Sequence, residues 1–127
     1  EFGAGSATKT PILLEAITPA AYVPVDISGD YLAGSAAELR QQFPSLDVIP
    51  VVADFARPFT LPGGIEHLPK LGFFPGSTIG NFVPRSGTDL LRHFRDILGT
   101  GARLLIGMDR VKGIERLFHH HAADGLD

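Results

Sequence analysis

The stretch EFGAGS (residues 1–6) decides the fold, because an apolar strand end runs directly into a glycine-rich turn. Gly3 and Gly5 have no side chains, so the backbone can turn sharply there and approach a ligand closely. Glu1 and Phe2 are typical of a strand end but are too few to pair by themselves. We therefore expect most of this first strand to precede the given sequence.

Four further strands and three helices are predicted after this turn. Short β-rich apolar runs give the strands at Tyr22–Val25, Val48–Val52, Leu71–Phe74 and Leu104–Ile106. Helical spacing of apolar residues gives the helices, marked by Ile12, Leu13, Ala16 and Ile17, by Leu32, Ala36, Leu39 and Phe43, and by Leu90, Leu91, Phe94 and Leu98. The alternation predicts an α/β fold with a Rossmann-like parallel sheet and helices on both faces.

Four residues are placed to begin or end these helices. Ser28 and Ser86 are placed to cap the second and third helices, and Pro44 and Gly99 stand where the same two helices should end. The Pro- and Gly-rich segment Arg57–Leu68 predicts a surface loop, and residues 111–123 could form one more helix without a strand to follow it. Residues 1–127 are interpreted as a single core domain that is incomplete.

Composition and charge exclude several classes of protein. With 127 residues, 44% of them apolar, the chain can form one globular domain. A net charge of −3 and the absence of a basic stripe argue against nucleic acid as a partner. No apolar stretch approaches the roughly 20 residues of a bilayer span, so no membrane partner is expected. The lack of cysteine excludes a disulfide scaffold and cysteine-ligated zinc, and it fits a cytoplasmic protein.

Acidic residues follow three of the predicted strands, at the edge where open parallel sheets bind ligands, and they are Asp26, Asp54 and Asp109. Asp26 comes about 20 residues after the glycine turn, the spacing at which a carboxylate reaches ribose hydroxyls. Asp54 and Phe55 follow the next strand, where the carboxylate could meet an adenine amine and the ring could cover the adenine face. These residues together favour a nucleoside cofactor.

Two residues near the turn bear on which cofactor this is. A dinucleotide site needs a third glycine three positions after Gly5, and that position holds Thr8. S-adenosylmethionine has no pyrophosphate and needs only the first two glycines, so it is favoured over NAD. Lys9 stands near the start of the first helix, where a cation opposes the helix dipole. It either pairs with the carboxylate of the cofactor's methionine tail or is simply solvated.

Five stretches together resemble a known family. They are EFGAGSATKT (1–10), YVPVDIS (22–28), VVADF (51–55), FFPGSTIGNF (73–82) and LLIGMDRVK (104–112). The chain is similar to the histidine-specific N-alpha-methyltransferases, a class I family that includes the ergothioneine-pathway enzyme that trimethylates histidine. The string PGSTIGNF (75–82) is the most specific part of the likeness, and the tail after Lys112 departs from the pattern.

The resemblance implies an enzyme that transfers a methyl group from S-adenosylmethionine to the α-amino group of histidine or a related amino acid. By position it implies cofactor contacts for Gly3, Lys9, Asp26, Asp54, Phe55 and Gly76, and a contact with the amino-acid substrate for Asn81. It also implies a second, substrate-binding domain outside this sequence, so we expect residues 1–127 alone not to methylate at a useful rate. Without the resemblance, Asn81 would be interpreted as a turn residue.

Two other functions stay open from the residues alone. One is an NAD-type oxidoreductase, which Thr8 weakens, and the other is a non-catalytic cofactor-fold domain that serves as an interaction module. Consecutive side chains on a helix point about 100° apart, so the run His119–His121 does not predict a native metal site. Neither the true substrate, the number of methyl transfers nor the oligomeric state can be deduced from the sequence.

Overall fold

The computed structural model of the chain describes residues 1–4, 9–75 and 84–107. This part contains three helices, α1 (Thr10–Ile17), α2 (Gly29–Gln42) and α3 (Pro84–Leu98). It contains six short strands, β1 (Ala21–Tyr22), β2 (Val25–Asp26), β3 (Asp47–Val48), β4 (Val51–Val52), β5 (Leu71–Phe74) and β6 (Arg103–Ile106). Parallel pairs form between β1 and β3, between β2 and β4, and between β5 and β6.

One proline, Pro24, divides a parallel ladder into two short pairs. Strands β1 and β2 pair with β3 and β4 in a common register, which places Pro24 opposite Pro50. Pro24 has no N–H and cannot donate to its neighbour. The ladder continues across the break, because the Val51 N–H donates to the Pro24 carbonyl at 2.9 Å. On the other side of β3, the Arg40 guanidinium of α2 donates to the Val48 carbonyl at 2.8 Å.

The first residues of the chain join these strand pairs. The Phe2 N–H donates to the Phe73 carbonyl on β5 at 2.9 Å, and Phe2 forms a parallel bridge with Val25 on β2. The Val25 N–H donates to the Glu1 carbonyl at 2.8 Å. The expectation that Glu1 and Phe2 are too few to pair is therefore wrong, because they lie between two segments and bond to both. Segments that are hydrogen-bonded to each other therefore lie side by side in the order β3/β4, β1/β2, Glu1–Gly3, β5 and β6.

Helix α1 lies where it was predicted but buries a different side. Its buried residues are Thr10 and Leu14, whereas Ile12 is 69% exposed. Nearly every residue of the sequence TPILLEAI is apolar, so the spacing predicts a helix without indicating which side faces the core.

Helix α2 matches its prediction at both ends. The Tyr31 N–H donates to the Ser28 hydroxyl oxygen at 3.3 Å, which confirms Ser28 as the N-cap. The helix ends at Gln42, just before Pro44, as expected. Its buried residues are Leu32, Ala36 and Leu39, which are three of the four predicted apolar positions.

Helix α3 begins earlier than the sequence predicted. It starts at Pro84, so Ser86 lies inside the helix and the prediction that Ser86 caps it is wrong. Proline is favoured in the first turn because its fixed φ suits the helix and no N–H is needed there. The other end is confirmed, since Gly99 has a φ of +91° and donates its N–H to the Arg95 carbonyl at 2.9 Å.

Buried apolar residues form two clusters. The first joins α1 and α2 to β1 and β3 through Leu14, Tyr22, Ala36, Leu39 and Val48. The second joins α3 to β5 and the chain start through Phe2, Phe74, Leu90 and Phe94. The three helices and the parallel strand pairs agree with the prediction of an α/β fold.

The remaining predictions concern connecting segments. Residues 57–68 contain no helix or strand, as expected for a loop. The possible helix over residues 111–123 lies outside the described residues. None of α1, α2 and α3 is long and apolar enough to cross a membrane.

Candidate functional site

The start of the glycine turn lies against the residue predicted to cover adenine. Gly3 has a φ of +73°, and its N–H donates to the Val25 carbonyl at 2.9 Å. A Cβ atom at Gly3 would lie 3.2 Å from Cε1 of Phe55. Glycine is therefore needed here both for the left-handed backbone and for the close approach of the ring. Gly5 lies outside the described residues.

Asp26 ends β2 immediately beside this turn. Its carbonyl accepts the Ala53 N–H at 2.9 Å, so it is aligned with the strand that leads to Asp54. Its carboxylate is half-buried, and Oδ1 accepts the Ser28 N–H at 3.1 Å. Among the described residues no donor contacts Oδ2 of Asp26. One carboxylate oxygen is thus fixed by the start of α2 while the other can accept hydrogen bonds from a ligand.

Asp54 and Phe55 occupy a tight turn after β4, which we call the 54–57 turn. Oδ1 of Asp54 accepts the Ala56 N–H at 3.0 Å, and Oδ2 lies 3.4 Å from Nε of Arg57. The ion pair is exposed on both sides, so it contributes little and a ligand amine could replace Arg57 at small cost.

The Phe55 ring is fixed by other aromatic rings. It is half-buried, with its centroid 5.4 Å from that of Phe74 in an edge-on arrangement and 6.0 Å from that of Phe94. Phe74 belongs to β5 and Phe94 to α3, so the ring position depends on elements distant in sequence. A rigid ring beside Gly3 and Asp26 offers a flat apolar surface to a planar ligand.

The other predicted site residues are placed less fully. Lys9 is exposed at the N-cap position of α1, and no side-chain hydrogen bond caps that helix. Gly76 and Asn81 lie outside the described residues, between β5 and α3. The structure therefore brings Gly3, Asp26, Asp54 and Phe55 to one edge of the strands and does not test Gly5, Gly76 or Asn81.

Sequence analysis missed the role of the Glu1 carboxylate, which bonds to residues of the helix and the strand that follow the glycine turn. Oε1 of Glu1 accepts the Thr10 hydroxyl at 2.7 Å and the Tyr22 hydroxyl at 2.5 Å. Burial, followed by the charge of Glu1, raises the pKa of Tyr22 far above its usual value of 10. Thr10 opens α1 and Tyr22 lies on β1, so this contact fixes where the turn begins and where the next helix starts. The acidic residue at the strand end was the available signal.

A second missed residue is Ile27. It follows Asp26 directly and its side chain is 71% exposed. Val52, at the end of the paired strand, is also 63% exposed. Ligand pockets are lined largely by apolar side chains, so these two residues could offer apolar contacts beside the Asp26 carboxylate. An apolar residue directly after the strand-end acid was the signal in the sequence.

Comparison with known proteins identifies the family of the chain. The sequence pattern of the family described as "Histidine-specific methyltransferase, SAM-dependent" matches residues 1–123. The chain is 34% identical over 122 residues to a histidine N-alpha-methyltransferase of Mycolicibacterium smegmatis and 31% identical over 122 residues to one of Mycobacterium tuberculosis. Each match covers 92% of this chain but only 37% of the relative. The chain therefore belongs to the SAM-dependent, histidine-specific methyltransferase family.

Proposed function

We propose that this chain forms the S-adenosylmethionine-binding part of an enzyme that methylates the α-amino group of histidine or a related amino acid. The family description and the names of the two mycobacterial relatives support the reaction and the substrate class. Because the chain spans 37% of the length of these relatives, we assign the binding of the histidine side chain mainly to other parts of the protein.

The order of neighbouring strands supports a Rossmann-like core. The segment Glu1–Gly3 lies between β2 and β5, and the chain runs outward from it in both directions, to β4 on one side and β6 on the other. In such sheets the point where the order reverses is where nucleotide ligands bind, beyond the carboxyl ends of the strands. Gly3 and Asp26 both stand at that point.

The single observation that carries the proposal is the convergence of Gly3, Asp26 and Phe55. The free Oδ2 of Asp26 is assigned to the ribose hydroxyls, and the 54–57 turn is assigned to the adenine. The Phe55 ring and the exposed Ile27 side chain offer apolar surfaces to the base. Gly3 has a positive φ and lies so close to the Phe55 ring that a side chain at this position would contact the ring.

The remaining assignments follow the family pattern. Lys9 is proposed to pair with the carboxylate of the cofactor's methionine tail, which fits its exposure at the start of α1. Gly5 and Gly76 are proposed to line the cofactor, and Asn81 is proposed to hold the amino-acid substrate. An amide keeps the same charge at every working pH and can either accept from an amine or donate to a carboxylate.

The protein's contribution to the reaction is mainly alignment. When bound, S-adenosylmethionine supplies an electrophilic methyl group together with its leaving group. Gly3, Asp26, Asp54 and Phe55 would hold the adenosine end of the cofactor. Asn81, which lies in the segment between β5 and α3, would orient a neutral amine toward the methyl group. Fixing two reactants in line removes much of the entropic cost of the reaction.

The proposal is tested by ligand-induced thermal stabilisation of the full-length protein. S-adenosylhomocysteine should raise the Tm and NAD should not, because only a ligand that binds the native state stabilises it. Stabilisation by NAD alone would support an oxidoreductase. No stabilisation by either, together with no methyl transfer to histidine, would support a non-catalytic module.

Two substitutions then separate the cofactor side from the substrate side. Asp26→Ala should raise the Kd for S-adenosylhomocysteine, whereas Asn81→Ala should mainly raise the KM for the amino acid. If Asp26→Ala changed only the kinetics of the amino-acid substrate, the assignment of Asp26 to the ribose would be wrong.

A further inference from the structure

A histidine of α3 is bonded to the turn that is assigned to the adenine. Nε2 of His93 lies 2.7 Å from the Arg57 carbonyl oxygen, across 36 residues of sequence. A carbonyl oxygen only accepts hydrogen bonds, so Nε2 of His93 must carry the proton and donate it. The imidazole is half-buried between Phe59 and Phe94, with ring centroids 6.5 Å and 6.4 Å away.

This bond reaches a turn that is otherwise held mainly by local contacts. Within it, the Arg57 N–H donates to the Asp54 carbonyl at 3.0 Å, and the Asp54 side chain bonds to Ala56 and Arg57. These contacts fix the shape of the turn but not its position in the molecule. The Phe55 ring and the His93 bond connect it to α3.

Helix α3 therefore contacts the 54–57 turn at two points, through the Phe55–Phe94 ring contact and through the His93 bond to the Arg57 carbonyl. We propose that His93 is a positioning residue that fastens the 54–57 turn to α3 and so holds the turn where the adenine end of the cofactor binds. This inference rests on the proposed function, because it takes the turn as the adenine site.

Two near-isosteric variants of the full-length protein isolate the hydrogen bond. Gln can place its side-chain N–H near the position of Nε2. Met has a shape similar to that of Gln but carries no hydrogen-bond donor. We expect His93→Met to raise the Kd for S-adenosylhomocysteine about three- to tenfold, the effect of one lost hydrogen bond. We expect His93→Gln to remain within about twofold of the wild type. His93→Phe serves as a second donor-free variant if His93→Met does not fold.

Fold stability is separated from affinity by measuring the Tm of each variant without ligand. A purely structural defect would lower the Tm and the affinity of His93→Met and His93→Gln alike, whereas a lost bond to the turn should be restored by His93→Gln. The exposed loop residue His67 supplies the control, and His67→Met should leave affinity and Tm unchanged.

Three outcomes would overturn the inference. Wild-type affinity in both donor-free variants would show that the bond does not matter. A loss that His93→Gln fails to restore would assign the effect to ring packing instead. Absence of any S-adenosylhomocysteine binding to the wild type would remove the proposed function itself, and this result is distinct from the other two.

Discussion

At Gly3, both the backbone conformation and the nearby Phe55 ring require a residue without a side chain. An alanine there would have to adopt a φ of +73° with its Cβ 3.2 Å from the Phe55 ring. We expect Gly3→Ala to lower the free energy of unfolding by about 1–2 kcal/mol and to weaken S-adenosylhomocysteine binding. Urea unfolding and calorimetric titration measure the two effects.

Gly34 provides the control for this substitution. It lies exposed on α2, and a Cβ there would meet no atom within 4 Å. Gly34→Ala should therefore stabilise the helix by up to about 1 kcal/mol and leave ligand binding unchanged. Equal losses of affinity in both variants would contradict the role assigned to Gly3.

Tyr22 makes the stability of the fold depend on alkaline pH. Its pKa is raised by burial and by Glu1, so the folded protein keeps a proton that the unfolded chain loses above pH 10. The stabilisation is present below pH 10 and is lost as the pH rises above that value. We expect the unfolding free energy of the wild type to fall relative to Tyr22→Phe by up to about 1.4 kcal/mol per pH unit there.

Chemical unfolding between about pH 8 and pH 11 checks this expectation. Replacing the exposed Tyr31 with Phe should leave the wild-type slope intact. Parallel curves for the wild type and Tyr22→Phe would show that the buried hydroxyl does not contribute.

At the scale of the elements, the start of α2 is tied directly to the site. Ser28 caps the helix with its hydroxyl and donates its N–H to Asp26. Ser28→Ala should reduce the free energy of unfolding by about 1 kcal/mol, and Ser28→Asp should restore most of it, because both Ser and Asp accept at an N-cap. Thermal and urea unfolding of the three proteins would measure this. A loss that Ser28→Asp does not restore would contradict the capping role.

The elements also show what the sequence could predict. Helix α2 was predicted at both ends because its cap, its apolar stripe and Pro44 agree with one another. The buried side of α1 could not be predicted, since its apolar residues point in most directions. The start of α3 was missed because a serine was preferred over Pro84, although proline is equally suited to a first turn.

The proximity of the candidate site residues was predictable to the extent that it depends on strand order. Gly3, Asp26 and Phe55 were expected to lie close together because parallel strands bring their carboxyl ends to one edge, and the structure places them there. The Glu1 contacts with Thr10 and Tyr22, and the bond from His93 to Arg57, depend on tertiary distances that no local pattern encodes. Such contacts are visible only when the helices have been placed against the strands.

For the whole molecule, Phe94 is the residue on which the second cluster depends. It is fully buried, its ring stacks on Phe2 at 3.9 Å, and the ring centroids of Phe74 and Phe55 lie 5.3 Å and 6.0 Å away. Phe94→Ala should cost about 3–5 kcal/mol of unfolding free energy, because a large cavity would remain. It should also weaken cofactor binding, since Phe55 loses its support.

The exposed neighbour Leu91 on the same helix tests whether burial is the cause. Leu91→Ala should change the unfolding free energy by no more than about 0.5 kcal/mol. Urea unfolding monitored by circular dichroism measures both variants. Similar costs at the two positions would mean that helix propensity, and not the aromatic cluster, determines the loss.

Pro50, which lies between β3 and β4, and Arg40 of α2 affect how readily the protein aggregates through this edge. Pro50 offers no N–H on the side that faces away from β1 and β2, and Arg40 already occupies the outward Val48 carbonyl. A strand from another molecule would find two of its docking positions blocked, which is how natural sheets discourage cross-β growth. At high protein concentration, the edge of β3 and β4 that faces away from β1 and β2 should therefore resist fibre formation.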